Sequence, residues 1–173
     1  MPLRTVLLSL GSNLEPRRER IHEAMTAIAA EILSDCRPSS LYETDPVGYT
    51  DQPAFINAAL VGTTDLEPEE VHRRCKALEV RLGRTKRERW REREIDVDVI
   101  LITDVVIGTD ALEIPHPRMQ ERRFVLQPCA EVAPFMIHPI LGRSVEDLLA
   151  RCPDTSAVKV VDSPPVLSPH AHP

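Results

Sequence analysis

The 173-residue chain has no long apolar run, and no stretch of it approaches the roughly 18 to 20 apolar residues that span a bilayer. Its first residues, Met1-Pro-Leu-Arg4 ahead of a short apolar run, lack the long hydrophobic segment and small-residue cleavage site of a signal peptide, so a cytoplasmic protein is expected. Glycine is scarce, six in all, and neither a Walker-type G-x-x-x-x-G-K-[ST] loop nor a Gly-rich kinase loop occurs. Cysteine is limited to Cys36, Cys75, Cys129 and Cys152, with no C-x-x-C pair and no histidine at zinc-finger spacing. Free thiols are therefore expected rather than a disulfide framework or a structural zinc site. An excess of positive charge is absent too. Twenty-seven acidic against 21 basic residues give a net charge of −6, which argues against a general binder of nucleic acid or membrane surfaces.

What is present fits an ordinary soluble domain, with 42% hydrophobic and 28% charged residues and a length suited to one core. The charge is unevenly spread. Between residues 81 and 94 seven basic side chains stand against three acidic ones, a local +4 that leaves the remainder at −10. Such a segment in an acidic protein points to one local anionic ligand, although a solvated charged loop has the same appearance.

Thr5 to Leu10 form a short apolar run closed by Gly11-Ser12-Asn13 and read as a buried strand. Ser12 or Asn13 could cap the next helix, in which Ile21, Met25, Ile28 and Ile32 recur on one face. Residues 36–43 look extended, and Phe55 to Val61 form a second apolar strand after a proline. Asp65, with Pro68 in the first turn, begins a helix carrying Val71, Cys75, Leu78 and Leu82, which Gly83 could end in a left-handed residue. After the basic segment comes Ile95 to Ile102. The order β-α-β-β-α-β predicts an α+β, ferredoxin-like fold. It has a mostly antiparallel sheet, two helices on one face and the other face free for ligands. Val105 to Ile107 could add a short edge strand. Extra C-terminal helices are expected around residues 118–133 and after Ser144. Residues 1–152 would form the domain, and 153–173, rich in Pro and Ser, a disordered tail in which His170 and His172 are solvated.

Asp96-Val97-Asp98 is the sharpest chemical signal. Alternation along a strand sets both aspartates on one face, roughly 6 to 7 Å apart. Like charges so placed need a cation or an arginine between them. Mg²⁺ suits such a pair, because it binds through one or two carboxylates together with substrate phosphates. The tripeptide alone also fits a solvent-facing edge strand. The neighbouring Arg84, Lys86, Arg87, Arg89, Arg91 and Arg93 add what phosphoryl transfer needs, charge neutralisation around phosphate oxygens. Trp90, the only tryptophan, lies inside this segment and could stack on a flat ring or anchor the loop. Asn57, mid-strand among apolar residues, could read the edge of a polar heterocycle, with Phe55 on the same face stacking on it; each could equally be core. His116, stiffened between two prolines, and Arg122 could donate to phosphate.

Together these pieces resemble the 6-hydroxymethyl-7,8-dihydropterin pyrophosphokinase family of folate biosynthesis. The matching stretches are Leu10-Gly-Ser-Asn13, Tyr42 to Gly48, Asp51 to Ala58, Glu79 to Arg84, Arg89-Trp90, Arg93 to Asp98, and Ile114 to Met119 with Arg122 to Leu126. They follow the family's order over roughly residues 5–150. The resemblance implies transfer of the β,γ-pyrophosphoryl group of ATP to the pterin hydroxymethyl oxygen, with release of AMP. It implies two Mg²⁺ ions held by Asp96 and Asp98, and charge stabilisation by Arg84 and Arg93 during transfer. A pterin would lie between Phe55 and Phe124, near Trp90, with Asn57 and the backbone around Thr44 and Val47 reading its edges. ATP, the co-substrate, would meet Glu79, Lys86, Arg89, Trp90, His116 and Arg122. Small-molecule substrates and a monomer are expected, with no nucleic acid or membrane partner. Arg91-Glu92 stands where the family usually has Gly-Pro, Phe55 where some members have Tyr, and Pro117 where some carry an aromatic residue. Two other classes share the topology. They are a two-metal nucleotidyl transferase or cyclase, which would release pyrophosphate, and a non-catalytic ligand-sensing module.

Overall fold

Strand β1 (Arg4–Ser12) is the axis of the molecule, because both of its edges are paired. The computed structural model describes residues 2–45, 53–83 and 94–167. On one side β1 runs antiparallel to β4 (Phe55–Thr64) over its whole length, from Arg4 opposite Thr64 to Ser12 opposite Ile56. On the other side it pairs with β5 (Asp96–Ile102), from Val6 opposite Ile102 to Gly11 opposite Asp96. Helix α1 (Arg17–Glu31) follows β1, and helix α2 (Pro68–Leu82) links β4 to β5. The chain is thus α+β, and every strand pairing in its main sheet is antiparallel.

The extended stretch expected at 36–43 is two strands, β2 (Ser34–Pro38) and β3 (Leu41–Thr44), both paired to β4. The break between them has a local cause. Ser39 turns its hydroxyl inward to accept the Ala59 amide at 2.8 Å, while its own amide donates to the Ala59 carbonyl at 2.9 Å.

Alternation gives the sheet two faces. Val6, Leu8 and Leu10 of β1 join Ile56, Ala58 and Leu60 of β4 beneath Ile21, Met25 and Ile28 of α1 and Val71, Cys75 and Leu78 of α2. A fully buried side chain of this size contributes roughly 1.5–3 kcal/mol, so this stripe is the main source of cohesion. The opposite face is only partly free. Helices α3 (Arg123–Val132) and α4 (Val145–Ala150) lay Val125, Leu126, Cys129, Val145 and Leu148 over Leu7, Ala59, Val61, Ile100 and Leu101. Two consecutive residues, Ile100 and Leu101, face this second core because β5 carries an extra residue there. Leu7 is opposite Leu101, but Leu8 is opposite Val99. The ligand face expected to be open is therefore reduced to the sheet end where Asp96 and Asp98 lie.

Further departures from the sequence reading are local. Ser12 and Asn13 do not cap α1, whose N-cap is Pro16. Ser12 instead donates to the Glu94 carbonyl at 2.6 Å, and Asn13 to the Pro53 carbonyl at 3.3 Å, so both tie distant loops to the end of β1. Glu67, rather than Asp65, precedes α2. Gly83 ends that helix with a φ of −105°, not in the left-handed region; it is close approach that requires glycine, since an added Cβ would lie 2.9 Å from the Glu79 carbonyl oxygen. Ile107 belongs to a two-residue strand, β6 (Ile107–Gly108), paired with β7 (Glu113–Ile114). A short 3-10 turn (Met119–Glu121) precedes α3. Another small hairpin, β8 (Ile137–His138) with β9 (Arg143–Ser144), leads into α4, where the Ser144 hydroxyl does accept the Asp147 amide.

The C-terminal stretch expected to stay unpacked supplies β10 (Lys159–Asp162), which pairs with the outer edge of β3. Arg18 meets Asp162 at 3.4 Å, and Val161 and Leu167 pack against the main core. His170 and His172 lie outside the described residues. All four cysteines are free, and burial pushes the Cys75 thiol up to about 12, which keeps it protonated and inert.

Gly62 marks where β4 meets the β2 segment. A Cβ there would sit 2.9 Å from the Ser34 carbonyl oxygen, 3.0 Å from Leu33 Cβ and 3.1 Å from Cys36 Sγ. Gly62→Ala should lower unfolding free energy by about 1–3 kcal/mol, seen as a fall in the urea midpoint at unchanged slope.

Candidate active site

The uncovered end of the second sheet face holds a cavity of about 470 Å³. Its floor follows from register. Gly11 lies opposite Asn57 on one side and Asp96 on the other, so these three positions form one row across the sheet. Ser9 lies opposite Ala59 and Asp98 in the next row of this face. With strands spaced about 4.8 Å apart, Asn57 and Asp96 stand roughly 10 Å apart at the backbone, with only a hydrogen at Gly11 between them. An added Cβ at Gly11 would lie 3.1 Å from Asn57 Oδ1 and 3.7 Å from the Phe55 ring.

One side of this row carries a buried, hydrogen-bonded amide. Asn57 is 5% exposed and donates from Nδ2 to Thr44 Oγ1 at 2.6 Å. The pair is fixed from behind, because Glu131 of α3 accepts the Tyr42 hydroxyl at 2.6 Å, the Ser40 hydroxyl at 2.9 Å and the Ser40 amide at 3.0 Å. That anchor couples β3, which carries Thr44, to α3, which carries Phe124. Phe55 and Phe124 both line the cavity.

The other side is electrostatic. Asp98 Oδ1 accepts from Lys76 Nζ at 3.2 Å, and the same ammonium lies 3.0 Å from Glu79 Oε1 and 3.0 Å from the Val97 carbonyl oxygen. Glu79 Oε2 in turn accepts the Val97 amide at 3.2 Å. Burial raises the pKa of Glu79, against the pull of the Lys76 charge. Burial opposes the charge of Lys76 as well, but Asp98 and Glu79 outweigh it and hold the ammonium above its ordinary pKa.

His116 closes the upper wall. Its amide donates to the Ile100 carbonyl at 2.9 Å, which fixes it to β5, and its Nδ1 accepts the Arg118 amide at 3.3 Å. Burial lowers its pKa and Asp98 partly opposes this, so a neutral imidazole with Nε2 as the remaining donor is favoured. The Arg122 guanidinium carbon lies 5.8 Å from the centroid of Phe124, within cation–π range.

The cavity floor thus carries an aromatic-flanked amide from β4 and a carboxylate pair from β5 on one sheet face. The sequence profile of the 7,8-dihydro-6-hydroxymethylpterin-pyrophosphokinase (HPPK) family matches residues 7–134. The chain belongs to the HPPK family. It is 38% identical over 154 residues to the 2-amino-4-hydroxy-6-hydroxymethyldihydropteridine pyrophosphokinase of Pseudomonas aeruginosa, covering 87% of this chain and 93% of that protein. It is 37% identical over 143 residues to the enzyme of the same name from Aquifex aeolicus, covering 83% and 89%. A solved HPPK-DHPS structure in complex with substrates matches 87% of this chain with a TM-score of 0.66 at 13% identity. A Plasmodium falciparum HPPK-DHPS structure matches equally, at 14% identity. The chain spans 43% and 45% of those two solved chains.

Among the site residues that the HPPK resemblance named, Thr44, Phe55, Asn57, Asp96, Asp98, His116, Arg122 and Phe124 line the one cavity. Glu79 stands behind Asp98, joined to it through Lys76. Val47, Arg84, Lys86, Arg89, Trp90 and Arg93 lie outside the described residues. The sequence reading missed Lys76, whose only local signal is its i,i+3 spacing from Glu79, and missed Gly11 as the open floor. Arg118, Glu121 and Asp154 also reach the cavity without a motif to mark them.

The buried Asn57–Thr44 bond is testable on its own. Thr44→Val removes the acceptor while keeping the shape and should cost about 1–3 kcal/mol of stability, whereas Thr44→Ser should retain most of it; urea unfolding of both variants measures the difference.

Proposed function

We propose that this chain transfers the pyrophosphoryl group of ATP to 6-hydroxymethyl-7,8-dihydropterin, giving the pterin diphosphate and AMP in folate biosynthesis. The observation that supports this reading is the Asn57–Gly11–Asp96 row, which sets an aromatic-flanked amide and a carboxylate, with Asp98 beside it, at the two ends of one cavity floor. A pterin stacked between Phe55 and Phe124, with its amide edge toward Asn57 and Thr44, would direct its hydroxymethyl arm across Gly11 toward Asp96. Strand order β5-β1-β4-β3, with α1 and α2 as the two crossovers, supports the ferredoxin-like reading of the topology.

The donor set fits magnesium. Asp96 and Asp98 offer hard oxygens on one face, and among the described residues no group of three or more His, Cys, Asp or Glu is placed to enclose a metal. A two-carboxylate site suits an ion that keeps water and shares phosphate oxygens, so Asp96 and Asp98 would hold two Mg²⁺ ions together with the triphosphate. Bound there, the metal would supply neutralisation of charge on the moving group.

The step itself is a displacement at the β-phosphorus. The pterin hydroxymethyl oxygen forms the new P–O bond, the α,β-bridging bond breaks, AMP departs with the electron pair, and the hydroxyl proton is released. The chain's task in such chemistry is positioning and charge stabilisation. His116 and Arg122 face the cavity as donors to phosphate oxygens, and Glu79 fixes Lys76 beside Asp98. Arg84 and Arg93 are proposed to stabilise the transferring group, with Lys86, Arg89 and Trp90 holding ATP and Val47 and Trp90 completing the pterin site. A cytoplasmic monomer is the proposed form; among the described residues no helix is long and apolar enough to cross a membrane.

A coupled assay should show AMP release from ATP that depends on the hydroxymethyl dihydropterin. ATP turnover releasing inorganic pyrophosphate without pterin would instead support a nucleotidyl transferase. Asp96→Ala and Asp98→Ala should each reduce kcat by a factor of about 10³ or more, as expected for lost metal ligands worth several kcal/mol at the transition state. Arg93→Ala should lower kcat far more than it raises the Kd for pterin, measured by single-turnover kinetics beside equilibrium binding.

A further inference from the structure

Lys76 was named by no motif, yet it sits where the chemistry is most charge-sensitive. Its ammonium donates to three groups on two elements: Asp98 Oδ1 at 3.2 Å and the Val97 carbonyl at 3.0 Å from β5, and Glu79 Oε2 at 3.3 Å from its own helix, with Glu79 Oε1 also 3.0 Å away. The Glu79 side chain is 18% exposed and is held in place by the Val97 amide, so this acceptor cannot easily turn away. The Lys76 side chain is 41% exposed and that of Asp98 47%, which leaves the contact between them open to solvent and to exchange.

We propose that Lys76 is the built-in counter-ion of Asp98, holding a cation's place on the carboxylate pair so that the pair takes up a divalent ion weakly until the ion arrives with nucleotide. The proposal rests on the reading of Asp96 and Asp98 as metal ligands. A dication approaching Asp98 meets a positive charge already in contact with that carboxylate, and the repulsion subtracts from its binding. Nucleotide phosphates reverse the balance, because they bring negative charge that satisfies both the ion and the ammonium. Lys76 is thus a positioning residue, acting through Asp98 rather than on the reacting atoms. It delays metal loading without blocking it, since Glu79 and the Val97 carbonyl can keep the ammonium after Asp98 is given up.

Mn²⁺ titration of the full chain without nucleotide, followed by electron paramagnetic resonance at low ionic strength, tests this apart from activity. Lys76→Met should bind Mn²⁺ about threefold to tenfold more tightly than the wild type, the range for losing one charge-assisted but half-exposed contact. Lys76→Arg should restore the weaker wild-type affinity, and the Lys76→Met gain should disappear in the Lys76→Met/Asp98→Asn double variant. Should Lys76→Met fail to fold, Lys76→Gln, which keeps a donor but no charge, carries the same expectation. Unchanged or weaker binding in the neutral variants, while Asp98→Asn alone abolishes it, would overturn the role of Lys76 and leave the metal reading intact. Binding that is insensitive to Asp98→Asn would overturn both.

Discussion

The register of β1 between β4 and β5 is the constraint from which the site follows. A strand paired on both edges cannot slip by one residue without turning Val6, Leu8 and Leu10 out of the main core. Burial of that stripe beneath α1 and α2 therefore fixes which residues face the other way, Ser9, Gly11, Asn57, Asp96 and Asp98 among them. The apolar face thus determines the polar one. The core, rather than attraction between the two carboxylates, brings Asp96 and Asp98 onto one face, and Lys76 at 3.2 Å from Asp98 offsets part of their repulsion.

The second constraint is how much of that polar face remains uncovered. Helix α3 seals the end of the sheet where Leu7, Val61, Ile100 and Leu101 lie, and the extra residue in β5 makes the seal continuous by turning two successive side chains toward it. The cavity begins where small and polar residues replace aliphatic ones. Glu131 then links the cover to the floor, since one carboxylate takes three donors from β3 and the link before it. Burial and this carboxylate together push the Tyr42 phenol well above its ordinary pKa, so it stays a donor throughout the physiological range. The placement of Phe124 on α3 relative to the Asn57 amide on β4 is tied to this anchor rather than to contacts in the cavity.

How legible these features were depended on how local their causes are. The alternation in β1, β4 and β5, the aspartate pair and the two stripes at 3- and 4-residue spacing are properties of short windows, and they appear in the chain as read. The roles of Ser12 and Asn13 were misread because two distant carbonyls, of Glu94 and Pro53, outcompete the helix end nearby. Lys76 was invisible for the same reason, its partner Asp98 being 22 residues away and brought near only by α2 packing on β5. Strand β10 was hidden differently. It adds to β3 through backbone hydrogen bonds and leaves Val160 61% exposed, so there was little side-chain pattern among the prolines and serines to reveal it.

The charge of the cavity wall is one-sided. Its described lining carries five carboxylates, from Asp45, Asp96, Asp98, Glu121 and Asp154, against the two guanidinium groups of Arg118 and Arg122. Such a wall alone repels anions. The missing positive charge lies in the sequence between Gly83 and Glu94, and these two residues are in contact range, with the Gly83 Cβ position 3.1 Å from Glu94 Oε2. The two described residues that flank the basic stretch in sequence thus meet close to the start of β5. Within that acidic floor Asp98 differs from its neighbours, because a carboxylate already matched by an internal ammonium, as Asp98 is by Lys76 at 3.2 Å, contributes less negative potential than a bare one.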